Sequence, residues 1–295
     1  MQVTPSFYVH QGTELTEQIF ATDLDWTLIR PIRSKFMKDE FDYAFLPNRI
    51  EVLQAYIREN YSIVIFTNQA YKGKAKITAL KRIDNIIKEL NSLNIYPWVL
   101  ISTEHDQYRK PNIGMWQYLN TDAEAFYVGD AAGRPTDHSD SDRLFAENIG
   151  LEFLTPEEIF PNNKVEISDT QAMFIFVGMP GSKKSTFYHD NLSTWAHAEQ
   201  DTLKTQAKMI KFIKEALNRG ESVAVDATNP NIAKRKEYID LAKDIPVLII
   251  YFVANGQDFN KLRANPVPSI AYNKYYSALE EPSFETDGVP VVELF

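Results

Sequence analysis

The chain has 295 residues, 44% of them hydrophobic, a formal net charge of −9 and no cysteine. That length suits two ordinary domains, and the missing thiols exclude disulfides, thiolate metal sites and a cysteine nucleophile. The acidic balance argues against avid non-specific binding of nucleic acid, no run approaches the roughly 20 apolar residues of a membrane helix, and Met1–Pro5 lacks the basic and apolar pattern of a secretory signal; an intracellular protein away from the membrane is expected.

In chain order, 19–24, 62–67, 98–102 and 125–129 read as buried strands. The amphipathic stretches 47–59 and 77–93 between them read as helices. The polar run Phe160-Pro161-Asn162-Asn163-Lys164 reads as a linker. Beyond it the alternation restarts. Strands are expected at 172–177, 222–226 and 247–253, with helices from Lys184 onward, over 203–218 before Gly220, and over 232–243. Short apolar strands alternating with helices predict an α/β protein of two doubly wound parallel-sheet domains, 1–163 and 164–295.

In such sheets, sites form at the carboxyl ends of strands. The first strand ends in Asp23-Leu24-Asp25. Asp23 can attack phosphorus to form an aspartyl-phosphate, and Asp25 can protonate the leaving oxygen and later activate water. The second strand ends in Thr67-Asn68-Gln69, a hydroxyl and an amide for phosphate oxygens. Arg109-Lys110-Pro111 follows the third strand, where Lys110 can neutralise both the phosphate and Asp23. Tyr127-Val128-Gly129-Asp130 ends the fourth with a carboxylate for Mg²⁺. His138 reads as a loop residue. Arg134 can hold substrate phosphate or form a structural salt bridge.

The second half carries Gly178-Met179-Pro180-Gly181-Ser182-Lys183-Lys184-Ser185-Thr186 between a strand and a helix, which matches the phosphate-binding loop G-x-x-x-x-G-K-[ST] except that Lys183 takes the second glycine's place. Gly178, Gly181, Ser182, Lys183, Lys184, Ser185 and Thr186 are therefore expected to cradle ATP, with Lys184 on its phosphates and Ser185 on Mg²⁺. Asp201, in Gln200-Asp201-Thr202-Leu203, is either a helix N-cap or a general base on an attacking hydroxyl. Asp226 and Asn229 end a later strand with an acid and an amide for substrate. Three basic clusters, one at Arg30, Arg33, Lys35 and Lys38, one at Lys72, Lys74 and Lys76, and one from Lys204 to Lys214, read as solvated faces or as paths for nucleic acid.

Four strand ends bearing nucleophile, hydroxyl, lysine and acid in that order resemble the haloacid dehalogenase phosphatase superfamily. The runs Tyr108–Trp116, Val128–Pro135, Asp137–Ala146 and Thr155–Phe160 resemble the polynucleotide kinase 3′-phosphatases over about residues 15–160, and the phosphate-binding loop with its downstream "DT" and "D-x-T-N" segments resembles their kinase module over 171–294. That resemblance implies Mg²⁺ held by Asp23, the Asp25 carbonyl and Asp130, with Asp142 orienting the site, and substrate contacts from Asn68, Arg109 and Arg134. It also implies Asp201 as the base of the kinase. Arg235 and Arg263 correspond to lid arginines that neutralise ATP phosphates, although the segment Lys261–Pro268 is short for that lid. The implied activity is removal of 3′-phosphates and ATP-dependent phosphorylation of 5′-hydroxyls on nucleic-acid ends, DNA ahead of RNA, by a monomer that hands its product to ligase or repair partners. No forkhead-associated domain is expected ahead of Asp23.

Overall fold

The computed structural model describes residues 1–263 and 265–295, in two compact units, Met1–Pro161 and Asn162–Phe295. The first unit carries β1 (Gln2–Thr4), β2 (Phe7–His10), β3 (Gln18–Thr22), β4 (Ile29–Arg30), β5 (Ala44–Phe45), β6 (Tyr61–Asn68), β7 (Trp98–Ser102), β8 (Glu124–Val128) and β9 (Glu152–Leu154). Its main sheet runs β1-β2-β7-β6-β3-β8-β9. From β7 to β9 every pairing is parallel. Strands of such a sheet are covered on both faces and so read as unbroken apolar runs; β6, YSIVIFTN, is buried from Ser62 to Thr67.

This sheet is mixed rather than purely parallel. The hairpin β1–β2 adds antiparallel to β7, with Phe7 and Val9 buried and Tyr8 and His10 half-buried between them. It covers a backbone edge that would otherwise be open for pairing, and its strands are too short to show a period in the sequence. Helix Lys74–Ser92 buries Ala79, Ile83, Ile86, Ile87 and Leu90 on one stripe, the spacing of an amphipathic helix.

The second unit is a five-stranded sheet, β11-β12-β10-β13-β14, all parallel, built from β10 (Met173–Gly178), β11 (Ala196–Glu199), β12 (Val223–Asp226), β13 (Val247–Phe252) and β14 (Val291–Leu294). The helix expected from Leu203 is in two pieces, Gln200–Leu203 and Gln206–Asn218. Lys204 breaks it with a left-handed φ of 66°, and the Thr205 hydroxyl restarts it by accepting from the Lys208 N–H at 3.3 Å. Both sheets change direction at a central strand. β3 lies between β6 and β8, and β10 lies between β12 and β13. Ligand sites of doubly wound sheets form beyond the carboxyl end of that strand. Among the described residues no helix is long and apolar enough to cross a membrane.

Candidate active sites

Asp23 follows β3 and is fixed there by its N–H, which donates to the Val128 carbonyl at 2.9 Å. The chain then turns sharply. Trp26 takes a left-handed φ of 65° and donates its N–H to Ile29 at 2.7 Å. Glycine adopts that conformation freely, whereas a side chain costs about 1 kcal/mol there.

Lys110 is the hub of this site. Its ammonium lies 2.5 Å from Asp23 Oδ1, 2.7 Å from Asp142 Oδ1, 2.8 Å from the Phe66 carbonyl and 2.8 Å from the Tyr127 hydroxyl, and it is 2% exposed. Asn68 brackets the Lys110 backbone from both sides: its amide nitrogen donates to the Lys110 carbonyl at 3.2 Å, and its oxygen accepts the Lys110 N–H at 3.0 Å. Asn68, expected on substrate, is seen here supporting the Lys110 backbone. Asp142 also accepts the Ala131 N–H at 3.1 Å. Its close approach needs Gly129, where a Cβ would lie 2.5 Å from the carboxyl carbon.

Burial pushes Asp23 up to about 7; Lys110 pulls it down, while Asp142 and Asp25 push it up. Burial, then Asp23 and Asp142, hold Asp130 well above its ordinary value. Burial alone would lower Lys110, but Asp142 and Asp23 outweigh it and keep the ammonium above its usual range. One lysine thus faces three carboxylates, Asp23, Asp130 and Asp142, whose ligand oxygens lie within 4.8 Å of one another. That uncompensated negative charge fits a hard divalent cation such as Mg²⁺. The Asp25 carboxylate lies outside the cluster, so Asp25 could serve a metal there only through its carbonyl. Thr27 steadies Asp130, its hydroxyl accepting the Asp130 N–H at 3.0 Å.

Metal binding at this cluster requires Asp23 to lose its proton. Asp130, also held above its ordinary value, must lose its proton too, so apparent Mg²⁺ affinity is expected to rise as pH goes from 6 to 8. Calorimetric titration at several pH values checks this, and a flat profile contradicts it.

The remaining expected residues divide. The Thr67 hydroxyl is buried and accepts from Gln69 Nε2 at 2.7 Å. Arg109 is half-buried with its Nη1 buried and unpaired. Arg134 is committed to carboxylates, with Nε 3.0 Å from Asp137 and Nη1 3.1 Å from Glu157. Of its two readings, the salt bridge is the one this structure shows. His138 is exposed, 3.8 Å from Asp130. Sequence reasoning missed Arg82 as a site residue, although an arginine on the apolar stripe of a helix was a visible signal.

In the second unit the loop after β10 closes around Lys184, whose ammonium lies 2.9 Å from the Gly178 carbonyl, 2.7 Å from that of Met179 and 3.4 Å from the Ser182 hydroxyl. Burial pushes Lys184 down to about 8, against the pull of Asp226 and Asp201. Ser185 donates its hydroxyl to Asp226 Oδ2 at 2.8 Å, and His197 Nε2 lies 3.1 Å from the same oxygen. Asp226, expected on substrate, therefore stands beside the Ser185 hydroxyl at the end of its strand. Asp201 is exposed in the first turn of its short helix, whose N-cap is Glu199 rather than Asp201. Gly181, Lys183, Lys184, Ser185, Thr186, Phe259 and Arg263 line a cavity of about 240 Å³. The Lys261–Pro268 segment includes Ala264, which lies outside the described residues.

Two expected ligands of this site are corrected. Arg235 is 0% exposed and forms a two-pronged ion pair with Asp287 at 2.6 and 3.0 Å. Its other nitrogen donates to the carbonyls of Asn229, Pro230 and Glu280. All three nitrogens are engaged within the protein, and a fully buried side chain presents none of them to ATP. Asn229 is also fully buried, its amide nitrogen donating to the Phe176 carbonyl at 2.8 Å, out of reach of a substrate.

Lys183 adopts φ 69°, the left-handed backbone for which the pattern uses glycine, and its ammonium lies 4.9 Å from the centre of the Phe259 ring. Lys183→Gly would relieve about 1 kcal/mol of backbone cost and lose about 0.5–1 kcal/mol of cation–π attraction. The expected net change in unfolding free energy is within about 0.5 kcal/mol, with ATP affinity nearly unchanged. A large gain in affinity would mean that Lys183 impairs the loop.

A nucleophile–lysine–acid cluster at one switch point and a phosphate-binding loop at the other define a two-module α/β phosphoryl-transfer protein. The family model described as polynucleotide kinase 3 phosphatase matches residues 18–160. The bifunctional polynucleotide phosphatase/kinase of Schizosaccharomyces pombe is 33% identical over 99% of this chain and 83% of its own length. A protein of Acanthamoeba polyphaga mimivirus named for the same two activities is 32% identical over 77% of this chain and 69% of its own. The polynucleotide 3′-phosphatase ZDP of Arabidopsis thaliana is 34% identical over 50% of this chain and 25% of its own. The chain belongs to the bifunctional polynucleotide phosphatase/kinase family.

Proposed function

We propose that this protein removes 3′-phosphates from nucleic-acid ends and phosphorylates their 5′-hydroxyls from ATP, with residues 1–163 as the phosphatase and 164–295 as the kinase. The observation that carries the reading is the buried Asp23–Lys110–Asp142 cluster with Asp130 beside it, in a chain that also holds a phosphate-binding loop. In the first reaction an Asp23 oxygen attacks phosphorus, the bond to the 3′ oxygen breaks, and Asp25 gives that oxygen its proton. Water then attacks the phosphoryl group on Asp23, Asp25 takes the water's proton, and phosphate leaves with the Asp23 carboxylate restored. Lys110 balances the charge of Asp23 and of the incoming phosphate, and the unpaired Arg109 nitrogen offers a further donor to the substrate. Mg²⁺, held by Asp23, Asp130 and the Asp25 carbonyl, would supply charge neutralisation on the phosphoryl oxygens.

In the second reaction Lys184 and the N–H groups at the start of helix Lys184–Asn191 hold the ATP phosphates. Asp201 takes the proton of the 5′-hydroxyl, and Arg263, on the cavity wall, meets the charge on the transferring group. Ser185 and Asp226 would hold the Mg²⁺ of this site. The products, a 3′-hydroxyl and a 5′-phosphate, are what a ligase joins, and an intracellular setting suits a chain without cysteine. The test offers DNA and RNA strands carrying a 3′-phosphate and a 5′-hydroxyl, with Mg²⁺ and ATP, and resolves both ends by mass. Conversion of both ends of the DNA is expected, and no change at either end on either nucleic acid overturns the reading.

A further inference from the structure

Helix Lys74–Ser92 places an arginine where its pattern calls for an apolar side chain. Arg82 stands on the stripe of Ala79, Ile83 and Ile86 and is 2% exposed. A buried guanidinium is costly unless it is paired. Here Nη2 lies 2.9 Å from Asp25 Oδ1 and 3.2 Å from Oδ2, and 3.4 Å from Gln69 Oε1. Gln69, 1% exposed, donates from Nε2 to Asp25 Oδ2 at 2.6 Å. The Asp25 side chain itself is 34% exposed, so the carboxylate is clamped from the interior and open on its other side. Oδ2 accepts two hydrogen bonds, and Oδ1 meets Arg82 only through the ion pair.

We propose that Arg82 is a positioning residue for Asp25. Together with Gln69 it fixes the plane of the carboxylate and leaves Oδ1 as the oxygen that exchanges the proton. This deepens the phosphatase reading and rests on it. As the bond from phosphorus to the 3′ oxygen breaks, the proton on Asp25 Oδ1 passes to that oxygen. When water attacks the phosphoryl group on Asp23, its proton returns to Oδ1 and the bond to Asp23 breaks. A well-placed general acid contributes of order 100-fold or more, and rotation out of line forfeits much of it.

The test compares single-turnover rates on an oligonucleotide 3′-phosphate and on 4-nitrophenyl phosphate, with Mg²⁺, for the wild type, Arg82→Met, Arg82→Lys, Gln69→Met and Asp25→Asn. The nitrophenolate leaves without a proton, so in the first step, read as release of the 3′-hydroxyl strand or of nitrophenolate, a misplaced acid slows only the oligonucleotide. The ratio of the two rates is expected to fall about 100-fold in Arg82→Met, less in Gln69→Met, and to recover in part in Arg82→Lys, with Asp25→Asn marking the limit. A merely structural Arg82 would slow both substrates by one factor and leave the ratio unchanged, which overturns the proposal. Should Arg82→Met fail to fold, Gln69→Met and Arg82→Lys are read on the same ratio, and an unchanged ratio in both overturns it equally. If the wild type releases phosphate from neither substrate, the phosphatase reading itself falls and takes this proposal with it.

Discussion

Lys110→Met is expected to abolish 3′-phosphate release and to destabilise the first unit by about 3–5 kcal/mol, the usual cost of leaving buried charge without its partner. The ammonium is the only cation within contact distance of both Asp23 and Asp142 among the described residues. Methionine fills much of the same space, so the loss would be of charge rather than of packing. The effect should depend on pH. Asp23 binds its proton more tightly folded than unfolded, about 7 against an ordinary 3.8. Its contribution to stability is therefore full below about 4 and is lost as pH rises through 7. Removing the lysine, which pulls Asp23 down, steepens that loss. Urea unfolding at pH 5 and pH 8 should find the variant much closer to the wild type at pH 5. A variant equally stable at both pH values, or one that still turns over, would contradict this account of the cluster.

Asp287→Ala is expected to cost the second unit about 3–5 kcal/mol, because Arg235 would stay fully buried with its counter-charge removed. ATP-dependent transfer should fall through unfolding of that unit and return on cooling, while 3′-phosphate release persists. Asp287→Asn, which keeps the shape and part of the hydrogen bonding, should lose less. Denaturant melts followed alongside both activities check this. An Arg235→Lys protein that is as stable as the wild type but cannot transfer phosphate would return Arg235 to the ATP site and contradict the burial argument.

The contrast between these residues shows what was legible in the sequence. The places of Asp23, Lys110, Lys184 and Ser185 could be read because each stands in a short segment beyond the carboxyl end of a strand. Arg235, Asn229 and Asn68 carry groups suited to phosphate, but their partners, Asp287, the Phe176 carbonyl and the Lys110 backbone, are 52, 53 and 42 residues away. No one-dimensional pattern reveals which partner a donor will meet. The strands of the parallel cores were readable as apolar runs, whereas β1, β2 and β11 were too short or too polar to show a period. Arg82 is the intermediate case. Its place on an apolar stripe was visible, and its partner, Asp25, was not.

The most direct test of two separate chemistries in one chain uses a nicked DNA duplex bearing a 3′-phosphate and a 5′-hydroxyl, with Mg²⁺ and ATP, and compares the wild type with Asp23→Asn and Lys184→Ala by end-group mass. The account predicts that the wild type converts both ends, that Asp23→Asn leaves the 3′-phosphate in place while phosphorylating the 5′ end, and that Lys184→Ala does the reverse. Loss of both reactions in either variant while it remains folded, or retention of 3′-phosphate release in Asp23→Asn, would contradict it.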